Sequence, residues 1–462
     1  MTDLAAVLAR LEGGHERTLA ELMEFAAIPS VSTDPAHAAD LDAAAAWVAA
    51  KLNAAGPFSV DVMPTPGASI VYAEWLGAPG APTALVYGHY DVQPEDPVEL
   101  WQSPPFQPTL RGGRLYARGV SDDKGPMLIP IKVAEAFFAV WKRLPINVKL
   151  LIEGEEEIGS RHLEAFVAEH RELLAADVVI SADGAMWRID EPSLTVANRG
   201  LAGLELAVRG AGKDLHSGRH GGSVANPLHA MARLVASLHE PEGRVAVAGF
   251  YDRVRDLNHA ERAEIAALPF DEASYLRQVG ATAAVGEPGY STLERQWTRP
   301  TLEVNGMWGG YQGPGQKTVL PSEAHAKITC RLVPDQDPDA IVALVTRHLE
   351  ARVPAGVQLT ARPADHGARP AHISRDHPVL KAAELALATT YGVSPLIVRM
   401  GGTVPVAEIF QRLMGLDTVY FSFSTGDEDF HAPNEFFRVH RLHEGLAAWA
   451  RLWHGLGGAS AQ

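Results

Sequence analysis

The sequence predicts an α/β layer interrupted by an inserted α+β module. Three observations carry that reading. Strand-like and helix-like segments alternate through residues 83–181. Near Asn198 the pattern changes to the two-residue alternation of a sheet with one covered face. After residue 373 the α/β alternation resumes. The implied boundaries are 1–196 with 374–462 for the layer, and 197–373 for the insert.

Leu4, Val7, Leu8 and Leu11, then Leu19, Leu22, Met23 and Ala26, fall at helical spacing, which predicts a helical stretch over 3–27. A second helix is expected over 40–54. Residues 83–87 form a short apolar run that stops at a glycine, as a buried strand does. Lys124-Gly125-Pro126 opens a helix to about Trp141, with proline in the first turn where its missing N–H costs nothing. Asn147–Glu153 is strand-like, 163–174 helical and Val178–Ser181 strand-like again. Together they imply a mixed, mostly parallel sheet between helices.

In the insert, Leu204, Leu206 and Val208 alternate with Glu205, Ala207 and Arg209. Asn226-Pro227 caps a helix with Leu228, Met231, Ala232, Val235 and Leu238 at helical spacing. Ala326, Ile328, Cys330 and Leu332 share one face of a later strand, with Lys327, Thr329 and Arg331 on the other. Asp337-Pro338 caps a second helix with Ile341, Leu344, Val345 and Leu349 inward. Two helices on an antiparallel sheet make the α+β module. Beyond it come a helix over 377–391 ending at Gly392, strands at Leu396–Met400 and 418–423, and a last amphipathic helix over 439–453.

The chain has 462 residues, 40 Lys+Arg against 56 Asp+Glu and a net charge of −16. Its 47% hydrophobic and 21% charged residues are ordinary for a globular protein, so the chain as a whole is not disordered. The charge excludes a broad nucleic-acid face, because no basic surface is available to displace phosphate counterions. The single Cys330 excludes an intrachain disulfide and a thiolate metal cluster, and favours a reducing cytoplasm. The start Met1-Thr2-Asp3-Leu4 lacks a basic region followed by an apolar core, so no signal peptide is expected. The longest helical apolar run, 43–50, is far short of the roughly 20 residues of a membrane span.

Five short segments concentrate His, Asp and Glu. They are Tyr87-Gly88-His89-Tyr90-Asp91, Arg118-Gly119-Val120-Ser121-Asp122-Asp123-Lys124-Gly125, Glu153-Gly154-Glu155-Glu156-Glu157-Ile158-Gly159-Ser160, Ser181-Ala182-Asp183-Gly184 and Asp429-Phe430-His431-Ala432-Pro433-Asn434-Glu435. The first, third and fourth follow strand-like runs, and in open α/β sheets ligands gather at the carboxyl ends of strands. Alone, each segment reads blandly: an acidic turn, a helix start, a glycine bend. Jointly, two imidazoles and several carboxylates without thiolates suit zinc, with manganese or cobalt as alternatives. One carboxylate can supply an oxygen to each of two ions, and a neighbouring one can accept a proton from water.

Read in order, Gly88-His89-x-Asp91, Gly119-x-Ser121-Asp122-Asp123-Lys124-Gly125, Glu156-Glu157-x-Gly159-Ser160, Asp183 and His431 resemble a metallopeptidase family. It contains carnosinase-type dipeptidases, carboxypeptidase G, aminoacylases, acetylornithine deacetylase and succinyl-diaminopimelate desuccinylase. Tyr87 to Pro94, Lys317-Thr318-Val319-Leu320-Pro321, Arg331-Leu332-Val333-Pro334 and Gly401-Gly402-Thr403-Val404-Pro405 are similar to the dipeptidase branch. The resemblance implies a zinc-peptidase-like catalytic domain with an inserted lid or dimerisation domain. It implies two divalent metal ions per subunit, zinc first. His89 and Asp183 would hold one ion, Glu157 and His431 the other, and Asp122 would bridge. Asp91 would orient His89, and Glu156 would be general base and then acid toward a metal-bridging water. The Asp122–Asp123 peptide is often cis in that family. His216 would reach across a homodimer interface to steady the oxyanion. Arg331 would clamp the substrate's C-terminal carboxylate, with Thr403, the backbone at Gly402 and, from the partner's lid, Thr318 adding contacts. The implied reaction is hydrolysis of dipeptides or other short peptides; N-acyl amino acid deacylation or desuccinylation is the alternative on the same machinery. Ile158 departs from the branch, where a serine is common, and no ligand position is substituted.

Overall fold

The computed structural model describes residues 4–364 and 367–459, and the chain divides into two compact units. One takes in the described residues up to Val196 together with Ile373–Val398 and those from Ile409 onward. The other takes in Ala197–His372 and Arg399–Glu408. The strands of the two main sheets are, in chain order, β1 (Ser59–Met63), β2 (Ile70–Trp75), β3 (Thr83–His89), β4 (Asn147–Glu153), β5 (Val178–Ser181), β6 (Gly200–Arg209), β7 (Thr301–Gly309), β8 (Glu323–Leu332), β9 (Gln358–Pro363) and β10 (Thr418–Tyr420).

In the first unit the sheet order is β1-β2-β4-β3-β5-β10. The pairings β4–β3, β3–β5 and β5–β10 are parallel, and β1–β2 and β2–β4 antiparallel. This is the mixed, mostly parallel sheet that the alternation predicts. Ala84, Leu85 and Val86 of β3 and Leu150, Leu151 and Ile152 of β4 are buried, which is why these strands read as continuous apolar runs. The core joins Leu22 and Phe25 with Val48, Leu52, Val86, Met127, Ile131, Phe137, Leu446, Trp449 and Trp453. The helix Gly125–Trp141 is apolar nearly all round and correspondingly buried.

Two differences from the sequence reading have local causes. The N-terminal stretch is two helices, Leu4–Glu12 and His15–Ala26, because Gly13-Gly14 interrupts it; its predicted start at Asp3 lies outside the described residues. The helix after β4 stops at Glu169 rather than continuing to Leu174. A smaller antiparallel sheet of Thr109–Arg111, Arg114–Tyr116 and Phe436–Arg438 pairs Phe436 with Tyr116, and so lays the segment after His431 alongside the one before Asp122.

In the second unit an antiparallel sheet runs β7-β8-β6-β9. Leu204, Leu206, Val208, Ala326, Ile328 and Cys330 pack against Met231 and Leu234 of the helix Pro227–Ala236, and Ile341, Val345 and Leu349 of the helix Pro338–Glu350. Both helices are capped as their sequences predict: Asn226 accepts from the Leu228 N–H at 2.9 Å, and Asp337 from the Ala340 N–H at 3.0 Å. This unit also holds short helices at His259–Ala266, Glu272–Val279 and Thr292–Thr298 that hydrophobic spacing does not announce. No described helix is long and apolar enough to cross a membrane.

Candidate metal centre and active site

The five acidic and imidazole-bearing segments meet in the first unit. His89 ends β3 and is fully buried. Its Nε2 lies 3.1 Å from Asp122 Oδ1, and its Nδ1 lies 3.1 Å from the Asp91 carbonyl and 3.4 Å from Asp91 Oδ1. Asp122 presents its other oxygen, Oδ2, to His431 Nε2 at 3.0 Å. His431 Nε2 also stands 3.2 Å from Glu157 Oε2. Donor atoms of His89, Asp122 and Asp183 all lie within 4.8 Å of one another, and so do those of Asp122, Glu157 and His431. Asp122 is common to both groups. The Asp122–Asp123 peptide is cis.

Local structure sets these side chains. Asp91 accepts from the backbone N–H groups of Glu156 and Glu157, at 3.2 and 3.1 Å, so it seats the paired glutamates as well as facing His89. Gln93 donates to Glu157 Oε2 at 2.8 Å. Gly119 carries φ +76, and a Cβ there would sit 2.0 Å from the Val92 side chain. Behind the turn, Glu153 accepts from Tyr87 and Ser160 hydroxyls at 2.7 and 2.8 Å.

Burial comes first in the electrostatics of the site, and charge crowding adds to it. Burial lifts the Glu156 carboxyl well above its ordinary range; His89 opposes the shift, while Asp183, Glu157 and Asp122 add to it. Burial raises Glu157 too, and pushes Asp183 up to about 7. Burial also acts to raise Asp122, but the imidazoles of His431 and His89 outweigh it and hold the carboxyl far below. Hydrogen bonds to Asp122 and Glu157 carry His431 up to about 10. Four carboxylates against two imidazoles leave an excess of negative charge that divalent cations would balance. The donor set, the two groups and the shared Asp122 therefore fit a pair of such ions.

The remaining sequence-derived candidates belong to the second unit. His216 pairs with Val319 across a two-residue ladder, accepts from the Gly218 N–H through Nδ1 at 3.0 Å and is exposed. Thr318 is its neighbour, its carbonyl accepting from the Ser217 N–H at 3.0 Å. Arg331 donates to the Thr403 hydroxyl at 2.7 Å. Gly402 accepts through its carbonyl from the Arg199 N–H at 3.1 Å. Sequence reasoning missed Arg199, whose Nε donates to the Gly401 carbonyl at 3.0 Å. Burial, then the nearby Arg331, pull its guanidinium down to about 10, so two cationic forks share this neighbourhood. Its one sequence signal is the Asn198-Arg199-Gly200 step at which the patterning changes.

A two-histidine, multi-carboxylate cage at the carboxyl ends of a mixed sheet is the chemistry of a metal-dependent hydrolase. The model of Peptidase family M20/M25/M40 matches residues 85–455. The chain is 31% identical to the human Beta-Ala-His dipeptidase over 390 residues, covering 83% of this chain and 76% of that one. It is 27% identical to the Cys-Gly metallodipeptidase DUG1 of Saccharomyces cerevisiae over 471 residues, covering 97% of each. Among solved structures it is similar to an M20 family metallo-carboxypeptidase from Sulfolobus solfataricus, with a TM-score of 0.81, 32% identity and coverage of 95% of this chain and 99% of that one. The chain belongs to Peptidase family M20/M25/M40 and is a metallopeptidase. Its resemblance is to the dipeptidase branch.

Proposed function

We propose that the chain is a metal-dependent dipeptidase that hydrolyses the peptide bond of dipeptides or other short peptides with a free C-terminal carboxylate. The observation that carries this reading is the shared Asp122, one oxygen turned to each of two donor groups beside Glu156. The names of the relatives, Beta-Ala-His dipeptidase and Cys-Gly metallodipeptidase, support the substrate class.

His89, Asp122 and Asp183 would hold one divalent ion, and Asp122, Glu157 and His431 a second, with zinc first and manganese or cobalt as alternatives. Bound there, such ions lower the pKa of water and polarise a carbonyl. Glu156 takes the proton of the attacking water and returns it to the leaving amine. Asp91 keeps the His89 ring and the Glu156–Glu157 backbone in place. His216, supplied by the second subunit of a homodimer, donates to the oxygen on which negative charge develops. Arg331 binds the substrate carboxylate through its planar fork, with the Thr403 hydroxyl and the backbone at Gly402 adding contacts and the Thr318 hydroxyl coming, like His216, from the second subunit. A cytoplasmic location accords with the single buried thiol of Cys330.

The test is a panel of unblocked dipeptides run against N-acetyl and N-succinyl amino acids, with Zn²⁺ or Mn²⁺ added. Turnover of the dipeptides is expected. Turnover confined to the acylated amino acids would overturn the peptidase assignment in favour of a deacylase.

A further inference from the structure

Glu435 lies four positions beyond His431, is 1% exposed, and has no part in the reaction described above. Its carboxylate is nonetheless fully engaged. Oε2 accepts from Arg118 Nη1 at 2.7 Å and from the Gly119 N–H at 2.8 Å. Oε1 accepts from the Ser121 N–H at 2.9 Å and the Asp122 N–H at 3.2 Å. The Arg118 guanidinium, also 1% exposed, donates through Nε to the Pro94 carbonyl and through Nη2 to the Ala432 carbonyl, both at 3.2 Å. One buried ion pair thus ties together the segment after His89, the segment that leads into Asp122 and the segment that carries His431.

A buried ion pair adds little net stability, because desolvation offsets its attraction. What it does add here is geometry. Asp429, His431 and Asn434 have φ of +56, +58 and +68, the left-handed region that costs non-glycine residues energy unless the surroundings over-determine it. The segment is held on both sides of His431. Asn434 accepts from the Gln102 N–H at 2.8 Å, and the Ser121 hydroxyl donates to Glu428 at 2.5 Å. Glu435 reaches the backbone of Asp122 itself.

We infer that Arg118 and Glu435 are positioning residues that fix Asp122 relative to His431, and so set the spacing of the two cation-holding groups. The inference rests on the reading of those groups as cation sites. Both side chains are buried, so the role assigned to them is positioning and not contact with substrate.

The experiment is competition for Zn²⁺ between a chromophoric chelator and the chelator-treated full chain, for wild type, Glu435→Gln and Glu435→Asp. Circular dichroism and the thermal midpoint of each metal-free protein are recorded alongside. Gln keeps the shape but replaces one acceptor oxygen with a donor that faces other donors. Glu435→Gln is expected to fold and to lose about 10–100-fold in Zn²⁺ affinity, with kcat falling and KM little changed. Glu435→Asp is expected to recover part of the affinity. If Glu435→Gln does not fold, Arg118→Lys carries the test, because lysine keeps the charge but cannot bridge to Pro94 and Ala432 together. A folded variant with a lower thermal midpoint but wild-type Zn²⁺ affinity would overturn the positioning role while leaving the cation sites standing. Wild type that binds no Zn²⁺ would overturn the cation sites and this inference with them.

Discussion

Asp91 shows how much one side chain settles at this centre. It faces the His89 ring and holds the backbone N–H groups of the two adjacent glutamates, so the proposed base and a proposed ligand are placed by the same carboxylate. The division of labour between those glutamates is testable. Glu156→Ala should leave metal content unchanged, measured by elemental analysis, while cutting kcat about 10²–10⁴-fold, the usual worth of a general base. Unchanged kcat would remove Glu156 from the proton transfer. Away from the site, His15 and His443 stack with centroids 3.5 Å apart. Burial, then the neighbouring His15, depress the His443 pKa to about 4. The unfolded chain, with histidine near 6.5, then binds the proton first as pH falls. The contribution is fully present above that value and is lost between about 6.5 and about 4. His443→Phe should flatten this part of the stability profile, read as urea midpoints at pH 7 and pH 5. Much of the candidate site was legible because its His, Asp and Glu cluster in five short segments, three of them after strand-like runs, and the family resemblance supplied the individual roles. Gln93, Arg118, Glu435 and Arg199 were not assigned roles. Their partners are set by tertiary folding, with 317 positions separating Arg118 from Glu435, and no local pattern encodes such a pairing.

At the scale of elements, legibility follows burial pattern for several strands and helices, though the buried β2 was not recognised. β3, β4 and β5 were readable because they are buried on both faces, and the helices over 227–236 and 338–350 because each has an apolar stripe and a cap. β1 was not recognised: its residues are exposed or half-buried at a sheet edge, which leaves little apolar signal. The helices His259–Ala266 and Glu272–Val279 bury almost nothing, only Ile265 between them, so no stripe marks them. Their signal was in the caps. Asn258 with Glu261, and Ser291 with Glu294 at the helix that follows, form reciprocal capping boxes. Where a cap and a stripe coincide, the cap's worth is measurable. Asn226→Ala should cost about 1 kcal/mol by chemical denaturation, because the Leu228 N–H loses its acceptor. Asp337→Ala should cost a similar amount, and the two should add, since the helices share no capping partner. A null effect at both would mean that packing against the sheet alone sets these helix starts.

For the whole molecule, the proposed dimer makes a prediction that a monomeric enzyme cannot meet. If His216 serves the partner's site, His216→Ala and Glu156→Ala subunits, each nearly inactive alone, should regain activity when mixed and allowed to exchange. Random pairing makes half of the dimers mixed, each with one complete site, so about a quarter of wild-type activity is expected. No recovery, with exchange verified by mass, would place His216 outside the partner's site. The α/β layer with its α+β insert follows from patterning, and family membership from the order of motifs along the chain. Neither depends on how many ions are held, which turns on Asp122 and its two facing imidazoles. The most direct measurement is therefore the ion count of purified wild type and Asp122→Ala, paired with dipeptide hydrolysis before and after exhaustive chelation. Two ions per wild-type chain, loss of binding in Asp122→Ala, and activity abolished by chelation and restored by Zn²⁺ or Mn²⁺ are the predicted results. Hydrolysis that persists in the chelated protein would contradict the account at its centre.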